Sequence, residues 1–377
     1  MARSAVDRQR ADRTNLLAPF SSRYARPVQV ANPLGYRPAL DGVRGIAVAL
    51  VVSFHLWDWP RMGGALGVQV FFVLSGFLIT TLLLEEHERT GRVGLRAFYV
   101  RRALRLFPLL YVALAITAVV VIVAATDVRW YLHSIAAAAL YVGNLYGNVA
   151  RTHNELAPAV GHLWSLAVEE QFYLVWPIVL VAVLRFAPRR LLPLVAIGAA
   201  GAIVLRAVLV RAGETVWTLP TTYADALLAG CLIAVLRRHR GEMPALGAVA
   251  AVALLASCVV PSVALERGAG LLYLWPTAVG VVLVVAGVAD VGWLRQRWLV
   301  ELGGISYGLY VVHPLFAHAL RPFLGDWPTW AAGVVIAVTS VVIAVLSRRT
   351  LEAWFLRRKP EPPGRTQLQD LPAPAAG

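Results

Sequence analysis

A succession of apolar runs, each near the ~20 residues that a bilayer-crossing helix needs, constrains this chain more than any other feature. The runs fall at 43–58, 66–84, 106–125, 163–184, 191–210, 221–237, 244–264, 270–289, 299–319 and 329–347. Within them the apolar residues are continuous rather than alternating, which argues against an outer-membrane barrel. The chain has 377 residues, of which 59% are hydrophobic and 15% charged, with a mean hydropathy of +0.66. A soluble domain of this size has no use for so much apolar surface. The expectation is an all-α integral membrane protein with about ten transmembrane helices.

The formal net charge of +14 raises the question of a nucleic-acid partner. The arginines, however, lie between apolar runs and at the two ends, as cytoplasmic membrane loops require, so no nucleic acid is expected. With both termini inside, the outer loops hold only Arg61, Arg129, Arg151, Arg211, Arg267 and Arg321, Arg206 falls within a span, and the rest of the 35 Lys and Arg face the cytoplasm. One semi-apolar stretch, 130–147, decides the topology. If it crossed, the clusters around Arg189, Arg237 and Arg348 would all face outward, against the positive-inside bias. It is therefore expected to be re-entrant or interfacial, beside a cavity. Residues 1–36 read as a basic cytosolic tail, 37–350 as the membrane domain and 351–377 as a Pro-rich cytosolic tail. Cys231 and Cys258 both lie in apolar segments, so neither a disulfide framework nor a metal site is expected.

Several polar residues interrupt the apolar runs. Arg44 and His55 are 11 residues apart in the first run, which is ~16 Å of rise and about three turns of helix, so both project from one face. Intramembrane charges are costly and usually face a cavity. In the second run, Gly67, Ser75 and Gly76 suit close helix packing, and Gln69 and Ser75 are candidates to line a cavity. Arg101, Arg102 and Arg105 stand at the head of the third run, where they either anchor the helix at the inner interface or clamp a phosphorylated ligand. The fourth run holds His162, Trp164, Glu169, Glu170, Gln171 and Tyr173. Adjacent carboxylates there need hydration or partners, and one of Glu169 or Glu170 is expected to meet His55. Pro177 should kink this helix or draw in an extra partner. In the ninth run His313 precedes Pro314, with Ser306 and Tyr307 deeper.

Taken together, these residues resemble the membrane acyltransferase family 3, whose members O-acylate carbohydrates and some natural products. The resemblance covers roughly 37–350 and rests on Arg44 followed by His55, "FFVLSGFLI", Arg102-x-x-Arg105, "WSLAVEEQFYLVWP" and "ISYGLYVVHP". It implies ten spans, an acyl-CoA co-substrate, often acetyl-CoA, entering from the cytoplasm, and an acceptor hydroxyl. It also implies Arg44 and His55 as an essential pair and Arg102 and Arg105 as donor-side arginines. Some relatives carry an additional extracytoplasmic hydrolase-like domain, and a stand-alone bacterial inner-membrane enzyme is expected here.

The mechanism that follows places the CoA phosphates on Arg44, Arg101, Arg102 and Arg105. His55 is the general base on the acceptor, with a covalent acyl-histidine step as the alternative, and Glu169 or Glu170 fixes its tautomer. Trp164, Tyr173, His313, Ser75 and Gln69 are expected to line the substrate path, with no metal. A transporter is the alternative from another class, since buried charge and kinked helices also suit a substrate pathway. The chain has no internal repeat to support it. A lipid-binding scaffold would leave the membrane carboxylates unexplained.

Overall fold

The computed structural model describes residues 33–60, 62–124, 127–145, 156–212, 220–241, 243–259 and 274–358. The basic tail to residue 32 and the Pro-rich tail from 359 lie outside the described residues. The described elements are helical: α1 Pro38–Trp57, α2 Gly63–Thr90, α3 Leu95–Ala124, α4 Val128–Ala139, α5 Trp164–Phe186, α6 Leu191–Arg211, α7 Pro220–Arg240, α8 Gly247–Val259, α9 Trp275–Val288, α10 Arg297–Gly304, α11 Ser306–Leu320 and α12 Thr329–Ser347. This is an all-α, multi-pass membrane protein. Six helices are long and apolar enough to cross a membrane, and a seventh span forms if α10 and α11 count as one broken crossing. Helices α8 and α9 are shorter apolar helices, and α7 ends in Arg237, Arg238 and Arg240.

Helix α1 is the hub, packing against α2, α9, α10, α11 and α12. Its Ala39, Val43, Ala47, Val48 and Val51 are fully buried. Lipid offers no hydrophobic drive to hold helices together, so association rests on close packing, which small residues allow. The expectation for the second run holds at Gly67, where a side chain would collide with the carbonyl of Ala47 on α1. At Gly76 it would collide with the carbonyl of Leu227 on α7.

The turn after α2 is tied down by acids that the sequence reading passed over. Gly91, at φ 72°, closes the helix and sends its N–H to the carbonyl of His87. Glu86 accepts from the Gly94 N–H at 2.8 Å and pairs with Arg101 at 3.5 Å. Glu85 accepts from the Leu34 N–H at 2.7 Å, and Glu88 pairs with Arg238 of α7. The negative end of the α2 dipole is thus met by arginines from two other helices.

Two expectations about irregular segments meet the structure differently. The stretch 130–147 gives α4, whose 12 residues rise only ~18 Å, too little to cross a bilayer. Its polar groups are met by protein, as a non-crossing segment requires. Tyr111 donates to the carbonyl of Ala139 at 3.1 Å, and Ser134 Oγ accepts from the Ala157 N–H at 3.0 Å. Buried Asn144 exchanges two hydrogen bonds with Gln171, at 3.2 and 2.9 Å. The ninth run, read as one span over 299–319, instead breaks at Ile305 into α10 and α11, bent by 70°. Gly303 and Gly304 at the break have the weak helix propensity that permits it, and Gly303 presses against the backbone of Asp41 in α1.

Replacing Gly76 with Val should push α2 from α7 and cost about 1–3 kcal/mol or more by overpacking. Thermal unfolding in detergent should show a clear fall in Tm. Gly201→Ala, where the added Cβ meets nothing within 4 Å, should leave Tm unchanged or slightly raised.

Candidate active site

Arg44, near the start of α1, lines a cavity of about 300 Å³ with Arg102 and Arg105 of α3, Ser75 of α2, Glu169 and Tyr173 of α5, and Tyr310 of α11. The three guanidiniums converge because Arg102 and Arg105 are three apart on one helix face and α11 packs against both α1 and α3. Their environments differ. Arg102 pairs with Glu170 at 3.0 Å and with Glu169 at 3.9 Å, and its guanidinium lies 3.5 Å from the centre of the Tyr173 ring. Glu169 also accepts from the hydroxyls of Ser75 and Tyr173. Arg44 has Asp41 at 3.6 Å, three residues back on its own helix. Two carboxylates therefore meet Arg102 and one meets Arg44, while Arg105 is a further guanidinium in the cavity wall.

His55 lies at the far end of α1 from Arg44 and meets other partners. Its Nδ1–H donates to the carbonyl of Val51 at 2.8 Å, and the same Nδ1 stands 3.3 Å from Nε2 of His313. His313 is fully buried, and its own Nδ1–H donates to the carbonyl of Leu309 at 2.9 Å. These tautomers follow from the bonds, since a carbonyl can only accept. Arg321 donates to the carbonyl of His55 at 3.3 Å, serving one of the last carbonyls of α1. The ring of His162, just before α5, lies 5.6 Å from that of His313. Tyr310 links the two regions. It lines the cavity, donates to the carbonyl of His162 at 2.8 Å and stands 2.5 Å from Ser165 Oγ.

The structure brings together Arg44, Arg102, Arg105, Glu169, Tyr173 and Ser75 around the cavity, with Glu170 behind Arg102. Other expectations need correction. Neither glutamate meets His55: both are drawn to Arg102, the cation that removes the cost of burying them. Arg101 points to Glu86 and is not in the cavity wall. Trp164 packs its ring on Tyr223, 5.0 Å between centres, and Gln69 is held in another network. His313 faces His55 rather than the cavity. At Pro177 no donor reaches the carbonyl of Tyr173 through the helix, and an outside hydroxyl, Tyr99, serves the next carbonyl, Leu174, at 2.8 Å.

Gln69 belongs to a buried network that sequence reasoning missed. Arg206 of α6 donates to Asp225 Oδ2 of α7 at 2.9 Å, and Thr277 of α9 donates to the same oxygen at 3.0 Å. The Gln69 amide oxygen, assigned toward the guanidinium, accepts from Arg206 at 3.0 and 3.3 Å. An arginine and an aspartate in two neighbouring apolar runs were the available signal. Pairing them needed the α6–α7 contact.

Through Arg44 and His55 the hub helix α1 thus joins an arginine-lined cavity to a histidine pair. The chain belongs to the family of the acyltransferase domain known as acyltransferase family 3, whose model matches residues 37–349. Among named proteins it is similar to the peptidoglycan O-acetyltransferase OatA of Listeria monocytogenes, 31% identical over 351 residues, covering 84% of this chain and 55% of that protein. It is also similar to the O-acetyltransferase OatA of Staphylococcus aureus, 34% identical over 207 residues, covering 53% of this chain and 34% of that one. The chain thus spans about half the length of the Listeria relative. No solved structure matches it.

Removing one member of the buried Arg206–Asp225 pair should be costly. Arg206→Leu alone should lose about 3–5 kcal/mol, and Arg206→Leu with Asp225→Leu should recover most of it. A double-mutant cycle on unfolding midpoints in one detergent checks this.

Proposed function

We propose that this chain is a membrane O-acyltransferase that moves an acyl group, acetyl foremost, from acyl-CoA to a hydroxyl of a cell-envelope glycan. The observation that carries the reading is the pair of functional ends of α1. Arg44 lies in the cation-lined cavity, and His55 stands 11 residues on in the imidazole pair. The family assignment supports acyl transfer. The Listeria relative, named for peptidoglycan O-acetylation, supports a glycan acceptor.

Arg44 and Arg105 are the better candidates for the anionic groups of the donor. Arg102 already holds two carboxylates and is suited to keeping Glu169 and Tyr173 in place. A cavity near 300 Å³ is at the lower end for small-molecule sites, so only part of a CoA thioester fits within it. The positive-inside count supports a cavity toward the cytoplasm and His55 toward the outer leaflet. In that topology about ten spans cross the inner membrane of a bacterium and both termini are cytoplasmic.

The chemistry needs one base and no metal. The acceptor hydroxyl gives its proton to His55 Nε2 as its oxygen attacks the thioester carbonyl. The carbon–oxygen bond forms, the carbon–sulfur bond breaks, and the proton on Nε2 returns to the leaving thiolate. The Nδ1–H of His55 is already committed to the Val51 carbonyl, which leaves Nε2 as the basic nitrogen.

Thiol release from acetyl-CoA by the protein in nanodiscs, with and without glycan acceptors, tests this. His55→Ala should lower turnover on the order of 10²-fold or more. Arg44→Ala and Arg105→Ala should mainly weaken donor binding, by about 10- to 100-fold for a lost charge-assisted contact. A protein that neither binds nor consumes acetyl-CoA would sink the reading and bring a transport assay to the front.

A further inference from the structure

The environment of His55 is unusual for a general base because, among the described residues, no carboxylate is bonded to it. Glu169 and Glu170 are both engaged by Arg102, and Glu169 also by Ser75 and Tyr173. The ring neighbours that the structure gives His55 are Phe54 and His313. Behind His313 stand Tyr310 and His162, also uncharged as ring neighbours when the imidazole is neutral.

We propose that His313 is the positioning residue of His55. Its Nε2 lone pair shares the Nδ1 proton of His55 with the Val51 carbonyl, so that Nε2 of His55 is presented as the base. The inference rests on the reading of His55 as general base given above. Three features of the geometry carry it. The Nδ1–H of His313 is spent on its own Leu309 carbonyl at 2.9 Å, which forces Nε2 to be an acceptor. That acceptor stands 3.3 Å from Nδ1 of His55. His313 is fully buried, so water does not compete for the lone pair.

The arrangement has a physical rationale. When His55 takes the acceptor's proton it becomes a cation, and its Nδ1–H becomes a stronger donor. A second imidazole accepts that bond more readily than the backbone alone and spreads the charge. Before the reaction both rings are neutral, so the pair avoids the cost of burying a carboxylate without a cation beside it. No proton passes to His313 in the step; its Nε2 only accepts.

The test compares His313→Gln and His313→Leu with wild type in nanodiscs. Glutamine keeps an acceptor near the position of Nε2, and leucine removes it. His313→Leu should lower kcat on the order of 10²-fold with donor KM moved less than about threefold. His313→Gln should recover turnover to within about tenfold of wild type. A second readout does not need acyl transfer: the rate at which diethyl pyrocarbonate modifies His55, followed by peptide mass spectrometry. It should fall in His313→Leu and be largely restored in His313→Gln. Equal kcat in wild type and His313→Leu, or equal inactivity of both variants with unchanged His55 modification, overturns the proposal. If wild type consumes no thioester, the acyl-transfer reading fails, and the His55 modification rates alone decide whether His313 supports its neighbour.

Discussion

A guanidinium or carboxylate inside a membrane domain has no water to fall back on, so each must find its partner within the protein. Arg102 is where that demand is met most fully. It lies on the face of Tyr173, bonds Glu170 and reaches toward Glu169, which in turn holds Ser75. That one cluster fastens α2, α3 and α5 together. It also occupies both glutamates, and Arg44 meets Asp41 on its own helix instead.

The same rule shapes the other buried polar groups. Arg206 and Asp225 share their bond with Thr277 and Gln69, so that α2, α6, α7 and α9 meet at one polar knot. At the end of α2 three glutamates bind a backbone N–H, α3 and α7. Apolar contact between helices is weak as a source of register in lipid. These directional bonds supply it, and the glycines at Gly67 and Gly76 let the helices come near enough for them to form.

Much of this was legible in the sequence because hydropathy and charge act over long windows. The helical membrane class and the non-crossing segment near 130–147 followed from period, length and loop charge, and the grouping of Arg44 with Arg102 and Arg105 followed from the family resemblance. Partner choice was not legible. Glu169 lies in the same apolar run as His162, and a one-dimensional reading could not show that its partner is Arg102 rather than His55. His313 was visible as a histidine before a proline, but its contact with His55 spans 258 positions. The break at Ile305 was hidden because an apolar window averages across a bend.

The cavity wall includes Tyr310 and Ser165 and does not include the histidines beyond them. The Tyr310 hydroxyl, bonded to both the Ser165 hydroxyl and the His162 carbonyl, stands between the two regions. These bonds tie α11 to the start of α5 where the cavity gives way to the imidazoles.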